Sequence, residues 1–225
     1  MLSSYFSLNT IVELIGLVTA LVCLTRDKEL AWRLIVVLLA VTYVGETFGR
    51  FIYMNKIAAS NHWVYNMLLF FQVGIIHIMF INLFRQYLIS RWLLGAGAAL
   101  ICLCFGYDML QNGFFEYSNH TYTLFCILII IYGFRYFYKL LSDDNYVELK
   151  HFPPFWWITG ILLFSFGSTA CNIFYKQLDI PLLGGHHLTY YIFRILNIIL
   201  YGFWSYAFIC KRWLQPARNR LSTSV

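Results

Sequence analysis

The segment Glu46-Thr47-Phe48-Gly49-Arg50 places a carboxylate and a guanidinium four residues apart within a long apolar run. Residues four apart are neighbours on one face of an α-helix. An ionised side chain in hydrocarbon is costly, so it needs a partner, a water-filled cavity or a function. We therefore interpret Glu46 and Arg50 as part of a polar site that the other apolar runs position.

The composition is that of a helical membrane protein. Of the 225 residues, 60% are hydrophobic and 12% are charged, whereas soluble domains carry about 25% charged residues. The hydrophobic residues form blocks close to the length of about 20 that a helix needs to cross a bilayer. We predict an all-α, polytopic protein with one transmembrane domain over residues 1–225, in a plasma membrane or a bacterial inner membrane.

Seven apolar runs predict seven transmembrane helices. Their predicted boundaries are 5–24, 32–53, 63–84, 92–110, 122–140, 154–175 and 188–210. Of the 16 Lys and Arg residues, 12 lie around the first, third and fifth connections or after the last run. The positive-inside rule then predicts an outer N-terminus and an inner C-terminus, with residues 211–225 as a basic cytoplasmic tail.

The second and sixth runs end in similar segments, and the similarity continues past the next connection. The paired residues are Gly45/Gly167, Thr47/Thr169, Tyr53/Tyr175, His62/His187, Tyr65/Tyr190 and Gln72/Asn197. We predict a parallel internal repeat, with copies at about 5–84 and 122–210 and a linker helix at 92–110. Chance similarity between two aromatic-rich helices at one membrane depth is the alternative.

This 3+1+3 topology resembles the SWEET and PQ-loop carriers of sugars and amino acids. Parallel repeats about an axis normal to the membrane are a known transporter plan. The resemblance implies a seven-helix carrier fold, and it rests on topology, because the Pro-Gln dipeptide of the PQ-loop group is absent. The chain is also similar to small seven-helix proteins of bacterial inner membranes, which implies little about function.

Polar side chains from several helices are predicted to meet in one slab near the outer surface. With a rise of 1.5 Å per residue, Glu46 lies about 10 Å and Arg194 about 9 Å below the outer helix ends. The candidate ligand-binding residues are Glu13, Glu46, Arg50, Asn66, Gln72, Asn172, Arg194 and Asn197. The slab holds two carboxylates and two guanidiniums, and we predict that Glu46 and Arg194 form a buried ion pair.

Two interpretations of the slab stay open. It is either a polar pocket that opens to the outside or a purely structural network of ion pairs and amides. In the pocket, an arginine would hold the carboxylate or phosphate of a small polar or amphipathic ligand. The pocket favours a non-enzymatic sensor, a receptor-like module or a transporter, with a cytoplasmic signalling partner or a homo-oligomer as further partners.

A lipid-modifying enzyme and a structural or assembly subunit are the alternative functions. Glu13 or Glu46 could act as a general base, but neighbouring arginines make a carboxylate a weaker base. G-x-S-x-G and H-E-x-x-H are absent, so we predict no catalytic residue, cofactor or metal. Membrane lipids and a small-molecule or lipid ligand are the predicted partners, and no basic patch on a soluble domain indicates nucleic acid.

Overall fold

The computed structural model describes residues 8–58, 60–86, 92–143, 148–178, 180–181 and 187–214. The long elements of this part are seven α-helices. They are α1 (Leu8–Leu24), α2 (Leu30–Met54), α3 (His62–Gln86), α4 (Trp92–Asn112), α5 (Asn119–Leu141), α6 (Pro153–Ile173) and α7 (Leu188–Ile209). A 3₁₀ turn (Leu149–His151) precedes α6, one helical turn (Tyr175–Leu178) follows it, and a π-helical turn (Cys210–Leu214) continues α7.

The helices have the length and composition of membrane spans. Six of them, α2 to α7, are long and apolar enough to cross a membrane, and α1 is described over 17 residues. A span needs about 17 to 25 predominantly apolar residues. The chain therefore has the all-α architecture of a multi-pass membrane protein, as the apolar runs predict. The π-helical turn shows that Lys211 and Arg212 continue α7, although the sequence predicts a tail from residue 211.

Six helices form a closed ring, and α4 lies outside it. Around the ring, α1 packs on α2, α2 on α3, α3 on α5, α5 on α6, α6 on α7 and α7 on α1. Helix α4 packs chiefly on α5 and also on α3. The centre of the ring is therefore bordered by α1, α2, α3, α5, α6 and α7.

The two ends of the ring differ in their polar contacts. At one end, which we call the basic end, Lys211 Nζ lies 2.6 Å from Glu29 Oε1. At the opposite end, Ser60 Oγ donates to the carbonyl of Phe115 at 3.0 Å. This second contact joins the α2–α3 connection to the α4–α5 connection.

Two glycines allow matching close contacts in the two halves of the ring. A methyl group at Gly45 would come to 2.6 Å from Leu68 Cδ2, and one at Gly167 would come to 2.5 Å from Leu196 Cδ1. Small residues let membrane helices approach closely. The first contact brings α2 onto α3 and the second brings α6 onto α7. The predicted repeat pairs the two glycines, whereas the two leucines are three residues out of register.

Four aromatic side chains, which we call the aromatic layer, fill the ring toward the basic end. The Phe80 ring lies 5.4 Å from Tyr132 and 5.6 Å from Trp157 between centroids, and Trp157 stacks on Trp204 at 5.7 Å. Phe80 and Trp157 are completely buried. Trp204 Nε1 donates to the carbonyl of Trp157 at 3.1 Å, which satisfies the polar edge of a buried indole.

Candidate ligand-binding cavity

The ring encloses a cavity of about 300 Å³. All six ring helices contribute to its wall, together with Tyr117 from the connection before α5. Trp204 belongs both to the wall and to the aromatic layer. The cavity therefore lies next to that layer, on the side that faces the opposite end. The wall residues with carboxyl, amide or aliphatic hydroxyl groups are Glu13, Thr42, Glu46, Gln72, Ser165 and Asn197.

Glu13 is the deeply buried acid of the wall. It lies on α1 and is only 7% exposed. Its Oε2 atom has no hydrogen-bond partner among the described residues. A buried polar atom without a partner costs about 1–3 kcal/mol. Glu13 Oε2 is therefore an acceptor that a bound molecule could fill.

Glu46 faces the same cavity from α2. The Tyr65 hydroxyl on α3 donates to Glu46 Oε2 over 3.4 Å, which is long for a hydrogen bond of this type. Within the described ranges, no Lys, Arg or His nitrogen lies within 4 Å of the Glu13 or Glu46 carboxylate. The predicted ion pair between Glu46 and Arg194 is therefore wrong.

The two predicted arginines do not line the cavity. Arg194 Cζ lies 5.8 Å from the centre of the Tyr190 ring, one turn earlier on α7, and Arg194 Nε is buried without a hydrogen-bond partner in the described part of the chain. Arg50 Nη1 donates to Thr10 Oγ1 at 3.1 Å, which ties α2 to α1. The wall therefore lacks the arginine clamp for an anion that the sequence predicts.

Asn66 forms hydrogen bonds with the backbone of the connection between α4 and α5. Its side chain is completely buried. Asn66 Nδ2 donates to the carbonyls of Phe114 at 2.9 Å and Glu116 at 2.8 Å, and Oδ1 accepts from the Ser118 amide at 3.1 Å. These three bonds use most of what an asparagine side chain can form, and Asn66 lies outside the cavity wall.

Of the remaining three amide side chains, two line the cavity and one joins two helices. Gln72 on α3 and Asn197 on α7 line the cavity, and neither side chain has a hydrogen-bond partner in the part that the structure describes. Asn172 lies outside the wall, and its Nδ2 donates to Thr123 Oγ1 at 3.0 Å, which joins α6 to α5. Of the eight predicted site residues, Glu13, Glu46, Gln72 and Asn197 therefore share the cavity.

The eight predicted site residues include none of the aromatic side chains of the wall. The aromatic residues are Tyr65, Tyr117, Tyr122, Phe125, Phe164, Phe193, Tyr201 and Trp204. On α7, Phe193 and Tyr201 lie four residues before and after Asn197, a spacing that puts all three on one helical face. That spacing around a polar residue is the signal that could have found them.

Tyr117 lies in the connection outside the helices. Burial raises the pKa of its phenol above the ordinary value of 10.0. At neutral pH the phenol is therefore uncharged, and it can donate a hydrogen bond into the cavity.

Two histidines of the opposite end each lie beside one acid. His120 Nδ1 lies 2.8 Å from Asp108 Oδ1, and His62 Nδ1 lies 3.5 Å from Glu116 Oε2. His186 lies outside the described residues. In the ranges that the structure describes, no three His, Cys, Asp or Glu residues are grouped so that they could hold a metal ion.

Comparisons of the chain with protein-family models, with curated proteins and with solved structures found no match. A fold alone does not determine a function, which belongs to the site. The function is therefore argued from the chemistry of the cavity, in a chain of the multi-pass membrane class.

Proposed function

We propose that the protein is a non-enzymatic integral membrane protein that binds one small polar or amphipathic molecule in the cavity of the six-helix ring. The observation that carries this proposal is an interior space of about 300 Å³ bordered by the unpartnered Glu13 Oε2 atom. Protein interiors hold few voids larger than a water molecule, and their buried polar groups are normally paired. A void with unsatisfied polar groups has the properties of a ligand site.

We favour reception of a ligand over its transport. A transporter opens its site to each side in turn, and here the aromatic layer closes the ring beneath the cavity. Phe80 and Trp157 are completely buried in that layer, so transport would require their separation. A receptor needs only a change in the packing of the ring that a cytoplasmic partner or a second copy can detect.

The orientation and the internal repeat are parts of the same proposal. The concentration of Lys and Arg at one end supports a cytoplasmic basic end and an outward-facing cavity. The ring order supports the repeat, because exchanging α1–α3 with α5–α7 leaves the order of neighbours unchanged. Gly45 and Gly167, which the repeat pairs, both allow a close contact with the next helix, although Leu68 and Leu196 are three residues out of register.

Cys126 offers a test, because it lines the cavity and is 2% exposed. Methyl methanethiosulfonate, a small neutral reagent that reacts with the thiolate, should modify Cys126 in the folded chain during a long exposure at about pH 9, as measured by mass spectrometry of its peptide. Cys102 on α4 is exposed and serves as the positive control. Ser165→Leu places a larger side chain in the wall and should slow the reaction at Cys126 about tenfold or more.

Ser205→Leu is the matched control, because Ser205 lies on α7 outside the cavity wall. It should leave the rate at Cys126 unchanged. If Cys126 stays unmodified while Cys102 reacts, or if Ser165→Leu reacts as fast as the wild type, the proposed binding site is wrong. A structural subunit would then be the better interpretation.

A further inference from the structure

The charged residues of the cavity wall are all acidic. Glu13 and Glu46 line the cavity, and in the described part of the chain no Lys, Arg or His does. Arg50 is directed toward Thr10, and Arg194 lies over Tyr190. Arg50 acts electrostatically on both carboxylates without lining the cavity, so an anion in the cavity would contact two carboxylates and no cation of the wall, which is unfavourable away from water. The wall therefore disfavours the carboxylate or phosphate group that the sequence predicts.

The apolar part of the wall is rich in aromatic rings. Tyr65, Phe193 and Trp204 are examples from α3 and α7. Aromatic rings attract cations through their negative faces, and tryptophan does so most strongly. Calcium and magnesium, in contrast, require several oxygen ligands at short distance and gain little from rings. Two carboxylates among aromatic side chains are therefore suited to an organic ammonium group.

We propose, on the basis of the binding function inferred above, that the ligand is a small protonated amine with an apolar body. Its N–H groups donate to Glu13 Oε2, which has no partner among the described residues, and to Glu46. Its body lies against the aromatic side chains. The amide oxygens of Gln72 and Asn197 also accept hydrogen bonds, so an amine with N–H groups fits better than a quaternary ammonium.

The size of the cavity restricts the ligand further. About 300 Å³ is at the lower end of the range for ligand pockets. The ligand is therefore a single small molecule, and the acyl chains of a membrane lipid are too large for this space.

Three probes with the same phenyl body and different charge test the inference. They are phenethylammonium, phenethyl alcohol and 3-phenylpropionate, each used to protect Cys126 from methyl methanethiosulfonate in the full-length chain in detergent. We expect phenethylammonium to protect saturably, at concentrations about tenfold or more below those needed for the alcohol. We expect 3-phenylpropionate to give no protection.

Charge variants of the wall identify the counter-ion. Glu13→Gln should weaken protection by phenethylammonium about tenfold or more and leave protection by the alcohol unchanged. Glu46→Gln is the second variant and should change protection in the same direction. Glu116→Gln is the matched control, because Glu116 lies outside the wall with a side chain that is 65% exposed. Each protected rate is divided by the unprotected rate of the same variant.

The outcomes separate the ligand class from the binding function. If Cys126 reacts but the alcohol or the carboxylate protects as well as the amine, the ligand class is wrong and the cavity stays a binding site. The same conclusion follows if none of the probes protects, or if neither Glu13→Gln nor Glu46→Gln weakens protection by the amine. If Cys126 does not react in any sample, the proposed function itself fails.

Discussion

Two buried or partly buried carboxylates of the ring differ in their hydrogen bonding. Glu29, at the basic end, accepts from Lys211 Nζ at 2.6 Å and from Asn82 Nδ2 at 3.0 Å. Glu13, in the cavity, has a buried oxygen without a partner in the described part of the chain. The first arrangement joins α3, the start of α2 and the end of α7, whereas the second costs stability. Glu29 therefore supports the fold, whereas Glu13 leaves an acceptor free at the cavity.

Asn66 should show the largest effect, because its side chain is completely buried and, like that of Glu29, satisfied by hydrogen bonds. Asn66→Leu keeps a similar volume and removes three hydrogen bonds. We expect a loss of about 3 kcal/mol in the free energy of unfolding, measured by denaturation in detergent. Asn172→Leu removes one bond and should cost about 1 kcal/mol. Equal losses in the two variants would contradict the structural role of Asn66.

Lys211→Met tests the other satisfied region. The Lys211 side chain is 12% exposed and that of Glu29 is 39% exposed, so solvent weakens this pair only in part. We expect a loss of about 1–2 kcal/mol in the free energy of unfolding. Lys28→Met is the matched control, because Lys28 is exposed at the same end. If the two variants are equally stable, the contact with Glu29 does not stabilise the ring.

Glu13→Gln should change the free energy of unfolding in the opposite direction. Removing a buried carboxylate that lacks a partner should raise the free energy of unfolding by about 1 kcal/mol in the absence of ligand. Glu29→Gln, measured alongside it, should lower the same free energy. A Glu13→Gln variant that is as destabilised as Glu29→Gln would place Glu13 among the structural groups and remove the contrast between the two regions.

The smallest expected effect is a pH dependence at the basic end. Burial opposes ionisation of Glu29, but hydrogen bonds from Lys211 and Asn82 outweigh it and hold the pKa below its ordinary value of 4.5. A carboxyl with a lowered pKa stabilises the fold above the ordinary value and loses that contribution as pH falls through the lowered one. The difference in melting temperature between wild type and Glu29→Gln should therefore stay constant from about pH 7 to 5 and shrink below about pH 4.

Glu29→Gln itself supplies the reference for this measurement, because it lacks the titrating group and keeps every other acid. A difference that stays constant down to about pH 3 would show that ionisation of Glu29 does not stabilise the fold.

The helices could be predicted from the sequence because each apolar block has nearly the length of a membrane span. The predicted starts of α4 and α7 coincide with Trp92 and Leu188 in the structure. Depth along the helices could be predicted in the same way, since the rise per residue is constant. This estimate of depth was enough to place Glu13, Glu46, Gln72 and Asn197 at the level of one cavity.

Side-chain direction could not be predicted from depth. Arg50 follows Glu46 by four residues, but its long side chain reaches Thr10 on α1 instead of the cavity. Arg194 lies over Tyr190 of its own helix, where a ring offers a cation a favourable face. The Arg50 contact depends on which helices are neighbours in the ring, and neither spacing nor hydropathy in one chain contains that information.

The aromatic layer has an electrical consequence for a protein in a membrane. Phe80, Trp157 and Trp204 are packed and almost completely buried, so, if the cavity opens to the outer solution as proposed, the transmembrane voltage would fall mainly across them. A monovalent charge that crossed this layer would change its energy by about 2.3 kcal/mol per 100 mV. Under the proposed function, a cation that stops in the cavity would cross little of that field, so its binding would follow the concentration of the ligand and would hardly respond to the membrane potential.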